Sequence, residues 1–463
     1  MSAPVPPSRD DPLVRAASEV VGGPLGNRAR LAAAGFWTPT RVLLAMATFS
    51  MLLAALSKQH CRSAGWSTPG QFVHLCYSDL PSLFYFRGLG AGEVPYLAQV
   101  PVDQVVEYPV LTGLVMWATA LMVPGAGATP ERALTYFDVN LVWIAGCALV
   151  LVWATARAAG RRPWDAALVA LSPSLVLAST INWDLWAVAL LGVAMLAWAR
   201  ERPVLAGVLL GLAAATKFYP VVVLGPLFVL CLRAGRLRQW WAALGAGLLT
   251  WLVVNVPVML LAPDAWARFY LFSRDRGAGF SSVWYVLAQQ GVGIRSVQTL
   301  NLVAAVLLAA CCVAIAWLGL TAPRRPRVAQ LTFLVVAAFL LTNKVYSPQY
   351  VLWLLPLAAL ARPSWRDNLV WTAGEVIHFA GIWLYLAGLP DGGNPSRALP
   401  AGPYGLTVAA HVAGTLWLVA VVVRDVLHPE HDLVRRSGMD DPAGGPLDGA
   451  PDVVTLRPRA ARL

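Results

Sequence analysis

Charge is what this sequence has least of. Only 13% of its 463 residues are Asp, Glu, Lys or Arg, where a soluble globular chain carries about 25%. That deficit excludes an ordinary water-soluble enzyme, and 58% hydrophobic residues exclude a disordered chain. Lysine is scarcer still: of 35 basic side chains, only Lys58, Lys217 and Lys344 are lysines. Six cysteines are too few for a secreted disulfide scaffold of this length. No Cys-x-x-Cys, His-Glu-x-x-His or Asp-x-Asp spacing occurs, so neither a metal nor another cofactor is expected.

What is present in quantity is apolar sequence. A net charge of +11 would suit nucleic acid, but the arginines sit in short clusters between uncharged runs. That is the positive-inside pattern of a multi-pass membrane protein, and no nucleic-acid partner is expected. The first long run begins near Arg41, so no cleavable signal peptide is expected. Twelve runs are read as crossings: 42–57, 139–156, 166–183, 185–199, 204–216, 218–232, 240–263, 296–323, 328–343, 345–361, 369–386 and 398–423. A spanning helix needs about 20 apolar residues. The four successive short runs over 166–232 therefore point to a water-filled cavity at their ends.

The fold class expected is an all-α polytopic membrane protein with about 12 transmembrane helices. Arginines in the loops at 157–162, 200–202, 233–238, 324–327 and 362–366 mark those loops as cytoplasmic. The alternate loops, including a large first loop over 58–138, then face outside. Residues 109–123 are apolar but break the alternation, and are read as a juxtamembrane or re-entrant helix on the outer face. A full crossing there is the competing reading. Residues 1–38 and 425–463 are read as disordered cytoplasmic ends around a membrane domain at 39–424.

All three lysines fall on the expected outer side, against the usual bias. A lipid phosphate would account for them, and so would snorkelling to headgroups. Acids at membrane depth are costly and hence candidates for function. Asp79 lies in Cys-Tyr-Ser-Asp-Leu-Pro, Asp184 ends Ile-Asn-Trp-Asp, and Glu375 shares a helix face with His378. The last two read as a buried structural pair or as part of a site. Cys61 and Cys76 share the outer loop, and a disulfide is expected between them. Cys147, Cys231, Cys311 and Cys312 read as packing.

The order of short motifs carries a resemblance. Ser78-Asp79 is followed by Gly92-Glu93-Val94-Pro95-Tyr96 and Glu107-Tyr108-Pro109-Val110. Asn182-Trp183-Asp184, Lys217-Phe218-Tyr219-Pro220 and Ser347-Pro348-Gln349-Tyr350 come next, then Trp353 and Pro356. Over about residues 40–425 the chain resembles glycosyltransferase family 87, polyprenyl-phosphate-mannose-dependent mannosyltransferases of actinobacterial envelopes with the GT-C membrane fold. It departs from the family pattern at Val110 and over 181–184.

The resemblance implies an enzyme of the plasma membrane, its active site on the extracytoplasmic side. It implies a polyprenyl-phosphate sugar donor, a glycolipid or glycan acceptor, and inverting transfer with Asp79 as general base. Lys217, Lys344, Arg274 and Arg276 are expected around the donor phosphate. Tyr108, Asn182, Asp184, Tyr219, Gln349 and His378 are expected to bind substrate. Trp183, Tyr219, Trp284 and Tyr285 are candidate sugar platforms, or members of an interfacial aromatic belt. A transporter or flippase of lipid-linked saccharides, and a non-catalytic envelope scaffold, are the competing functions.

Overall fold

The computed structural model describes residues 4–5, 11–26, 35–101 and 104–456. Among them there is helix and loop but no strand. Six helices are long and apolar enough to cross a bilayer: Pro39–Ala64, Pro130–Ala158, Leu237–Leu261, Val297–Thr321, Trp365–Ala387 and Ala401–Leu427. At about 1.5 Å rise per residue, each exceeds the ~30 Å hydrocarbon core or comes close to it. Their starts are set by local chemistry. Thr38 and Thr129 accept hydrogen bonds from the first-turn amides, with a proline at the first helical position, and Ser296 and Ser364 cap the same way.

Five further expected runs form shorter helices: Asp184–Ala199, Pro203–Thr216, Tyr219–Arg233, Val328–Thr342 and Pro348–Ala361. The twelfth, 166–183, is not one helix. It breaks into Pro163–Ala166, Ala167–Ala170 and Pro173–Ala178. Pro173 has no amide proton for Val169, and its ring would clash with that carbonyl. The gap is bridged sideways, where Ser50 Oγ donates to the Ala170 carbonyl at 2.6 Å.

Burial sorts the helices into layers. Val328–Thr342 and Pro348–Ala361 are almost wholly buried and form the centre. Leu237–Leu261 and Val297–Thr321 sit outside, exposing Leu249, Val253, Leu302, Val306, Val313 and Trp317. Such a surface is untenable in water but matches lipid, so the chain is a multi-pass membrane protein.

The helix ends are chemically sorted. Arg202, Arg233, Arg327 and Arg362 stand at one end of their helices, and Asp184, Lys217 and Lys344 stand at the other. The helix Val110–Leu121 is only 12 residues long and keeps to the second end. Thr112 donates to the Thr216 carbonyl at 2.5 Å, and Arg132, in the first turn of the next helix, reaches the Val123 carbonyl at 3.2 Å.

The termini differ from the expected disorder. Pro12–Gly26 is a helix, and Asp11 Oδ2 accepts from the Trp365 amide at 2.7 Å. The tail through residue 456 folds back over the arginine-rich end. Asp432 forms a two-pronged pair with Arg327 at 2.7 and 3.0 Å, and Asp452 pairs with Arg233 and Arg325. Asp441 accepts from the Val328 amide at 2.8 Å. Buried arginines need counter-charges, and the acids of a tail that looks disordered by composition supply them. The remaining terminal residues, 1–3, 6–10, 27–34 and 457–463, lie outside the described residues.

Candidate functional site

Asp79 is placed by the long first loop rather than by one of the long helices. Ser78 caps the helix Asp79–Phe86, and its hydroxyl also donates to the Thr180 carbonyl at 2.7 Å. The Asp79 amide donates to the Ile181 carbonyl at 2.7 Å. A disulfide joins Cys61 and Cys76, with Cα atoms 5.8 Å apart, as expected. It fixes the chain three residues before the acid. Lys58 is buried there, and its Nζ donates to the Tyr77 carbonyl at 2.9 Å.

The carboxylate faces a cavity of about 910 Å³. Tyr77 donates its hydroxyl to Asp79 Oδ1 at 2.7 Å, and Tyr108 reaches Oδ2 at 3.4 Å. Burial pushes the Asp79 pKa up to about 6. The Tyr77 hydrogen bond, the Lys217 charge and the Tyr108 hydrogen bond pull it down, and Asp184 pushes it up. A base poised near neutrality is what proton transfer at physiological pH needs.

Lys217 lines the same cavity, but its ammonium is already engaged. Nζ donates to Asp184 Oδ1 at 2.7 Å, and Trp353 Nε1 donates to Oδ2 at 2.9 Å. Burial opposes the Lys217 charge, yet Asp184 holds its pKa above the ordinary lysine value. Aromatic faces complete the surround, with the ammonium 5.1 Å from the Tyr108 ring centre and 5.6 Å from that of Tyr350. Tyr219 and Tyr350 both stack on Trp353, at 4.1 and 3.9 Å.

Lys344 also lines the cavity, donating to the Arg274 and Arg276 carbonyls at 2.9 and 2.6 Å. It therefore caps the end of the helix Pro263–Asp275. Burial and the nearby Arg276 guanidinium lower its pKa. The Arg276 side chain is on the cavity wall, against the Phe272 ring at 5.3 Å.

Asp79, Lys217, Lys344, Arg276, Tyr108, Asn182, Tyr219 and Gln349 are thus gathered around one space. The ends of the short helices line it, where the short runs pointed. Other expected residues are not brought to it. Arg274 pairs with Asp275 at the surface. Asp184 stands one layer behind the wall, fixing Lys217, and its amide donates to Asn182 Oδ1 at 3.0 Å. His378 is buried against His411, away from the cavity lining. Of the proposed platforms, Trp183 is buried on Asn140, Trp284 donates to the Thr342 carbonyl, and Tyr285 bonds Tyr385. Tyr77, Tyr346 and Trp383 line the cavity without having been singled out. Tyr77 had a signal, since it stands two residues before Asp79.

These features define a multi-pass membrane protein with an aromatic-walled cavity at one end of its helices and a half-buried acid facing into it. Residues 107–343 match the model of glycosyltransferase family 87, just over half of the chain. The chain belongs to that family and is a membrane glycosyltransferase, with a sugar donor and an acceptor as its substrates. No curated protein matches it.

Proposed function

We propose that the protein transfers mannose from a polyprenyl-phosphate donor to a hydroxyl of an envelope glycolipid or glycan, at the extracytoplasmic face of the plasma membrane. The observation that carries this reading is the Asp79 carboxylate, held by two tyrosine hydroxyls, on the wall of a cavity that also contains Lys217, Lys344 and Arg276. The acceptor oxygen attacks the anomeric carbon while its proton passes to Asp79. The bond from that carbon to the phosphate oxygen breaks, and the leaving polyprenyl phosphate keeps the electron pair. A cationic wall already in place stabilises the charge that develops there. Attack opposite the leaving group inverts the anomeric centre, so a β-linked donor gives an α-linked product.

Lys217 has a second task beside the donor phosphate. Paired with Asp184, it favours the charged form of Asp79 and sits against the aromatic wall, while Arg276 and Lys344, the latter also capping the helix Pro263–Asp275, extend the cationic wall. The arginine clusters at the end of the helices opposite the cavity support twelve crossings with an outward-facing site. Residues 109–123 are then a juxtamembrane helix.

The test is transfer from polyprenyl-phosphate-mannose to membrane glycolipids by the purified protein. Asp79→Asn keeps the shape but removes the basicity, and is expected to slow transfer about 10²–10⁴-fold with donor binding retained. Near-normal transfer by that variant would rule out the mechanism.

A further inference from the structure

Glu375 and His378 lie one turn apart on the helix Trp365–Ala387, and His411 comes from Ala401–Leu427, packed beside it. All three are buried, at 4%, 1% and 0% exposure. One ligand atom from each lies within 4.8 Å of the others.

The hydrogen bonds around the three are lopsided. Trp371 Nε1 donates to Glu375 Oε1 at 3.1 Å, with the Thr415 and Tyr346 hydroxyls at 3.4 and 3.5 Å from the same oxygen. Oε2 is turned the other way, 3.6 Å from His411 Nδ1. His411 Nε2 lies 3.2 Å from the Ser281 carbonyl. A carbonyl can only accept, so Nε2 carries a proton, and in the neutral tautomer this leaves, Nδ1 presents a lone pair. In that tautomer two acceptors face each other in a buried setting. Beside them, both nitrogens of His378 lack a hydrogen-bond partner. Each buried polar atom left unpaired is costly, and a cation between the three side chains would pair Glu375 Oε2, His411 Nδ1 and one nitrogen of His378.

We propose that Glu375, His378 and His411 bind one divalent transition-metal ion, zinc being the best match. Two imidazoles and a carboxylate form a zinc-type donor set. The surroundings also resemble those of metal sites, in which a ligating histidine donates its second N–H to a carbonyl and a ligating carboxylate is itself hydrogen-bonded. The ion ties the last two long helices together directly behind the cavity, since Tyr346 and Ser281 are both on its wall. No step of sugar transfer depends on this site.

The test uses the purified full-length protein in detergent, without a polyhistidine tag. Metal content is measured first, and Co²⁺ is then titrated into stripped protein, with its visible absorption as the readout. One Co²⁺ per chain, displaced by Zn²⁺, is expected. His378→Gln and His411→Gln should each weaken binding by more than the ~10–100-fold that an outer-shell loss costs. His60→Ala with His74→Ala, which removes the stacked pair in the outer loop, should leave it unchanged. A wild-type protein with no saturable absorption overturns the site and makes the cluster a proton-bridged pair, as does a signal that survives in His411→Gln. If the variants fail to fold, X-ray absorption of the wild-type zinc form decides: two imidazoles in the first shell support the site, and fewer overturn it. None of these readouts uses sugar transfer, so the site and the proposed function fail separately.

Discussion

Tyr77 and Lys217 both favour the charged form of Asp79, the base of the proposed mechanism. Its pKa of about 6 means that the carboxylate is ionised above that pH and protonated below it. For transfer, kcat/KM should therefore fall as pH drops through about 6, and hold above it. The Tyr77 hydrogen bond favours the charged form. Tyr77→Phe should accordingly move the acid limb to higher pH, a shift read from the profile even if the rate at its plateau changes little. An unmoved limb would assign the titration to another group. Lys217 calls for a different experiment, because Asp184 is 2% exposed and relies on it. Lys217→Ala strands a buried carboxylate and should destabilise the protein by about 3–5 kcal/mol. Adding Asp184→Asn should recover most of that stability. Donor affinity measured in the double variant then separates the two roles: if it matches the wild type, Lys217 acts only through Asp184.

Among the elements, the long first loop contributes most to the site and was partly legible. The cysteine pair could be read because two thiols share one short loop expected to face outside, and the disulfide forms. Closing a 15-residue loop is worth about 3 kcal/mol in the chain-entropy model. Cys61→Ser with Cys76→Ser should therefore lower the thermal midpoint and loosen Asp79, visible as a fall in kcat larger than any change in KM. Equal midpoints with and without reductant would show that the loop is held instead by Lys58 on the Tyr77 carbonyl and by Trp66, whose Nε1 donates to the Cys76 carbonyl at 3.2 Å. The break at Pro173 was also visible in the sequence, yet an uncharged run of that length outweighed one proline. Pairings across distant segments were not visible. Nothing local says that Lys217 is matched by Asp184, or that His411 lies against His378, because these partners meet only when separate helices pack. The acid's position depended on a motif, and the cavity on short helix lengths. The arrangement of polar groups around both came only from tertiary contacts.

At the scale of the whole molecule, charge is divided between two ends, and the division predicts both topology and stability. One end holds the cavity. The other holds arginines sealed by the tail: Arg327 is 1% exposed, and its guanidinium also caps the Leu360 and Ala361 carbonyls at 2.7 and 2.6 Å. A tail on the opposite side of the membrane could not reach these groups, so the tail and the arginine loops must share a compartment. The positive-inside bias predicts that this compartment is the cytoplasm. Arg161→Cys should then resist an impermeant thiol reagent in intact cells, while a cysteine at Ser396, beside the cavity end, should react. The tail itself is structural. Asp432→Ala leaves Arg327 buried without its carboxylate and should cost about 3–5 kcal/mol. A midpoint unchanged in Asp432→Ala would mean that the segment merely rests on the arginines. Because Arg327 opens the helix that ends beside Lys344, loss of that pair should also lower transfer, through the position of the cavity wall and with the pH profile of Asp79 unmoved.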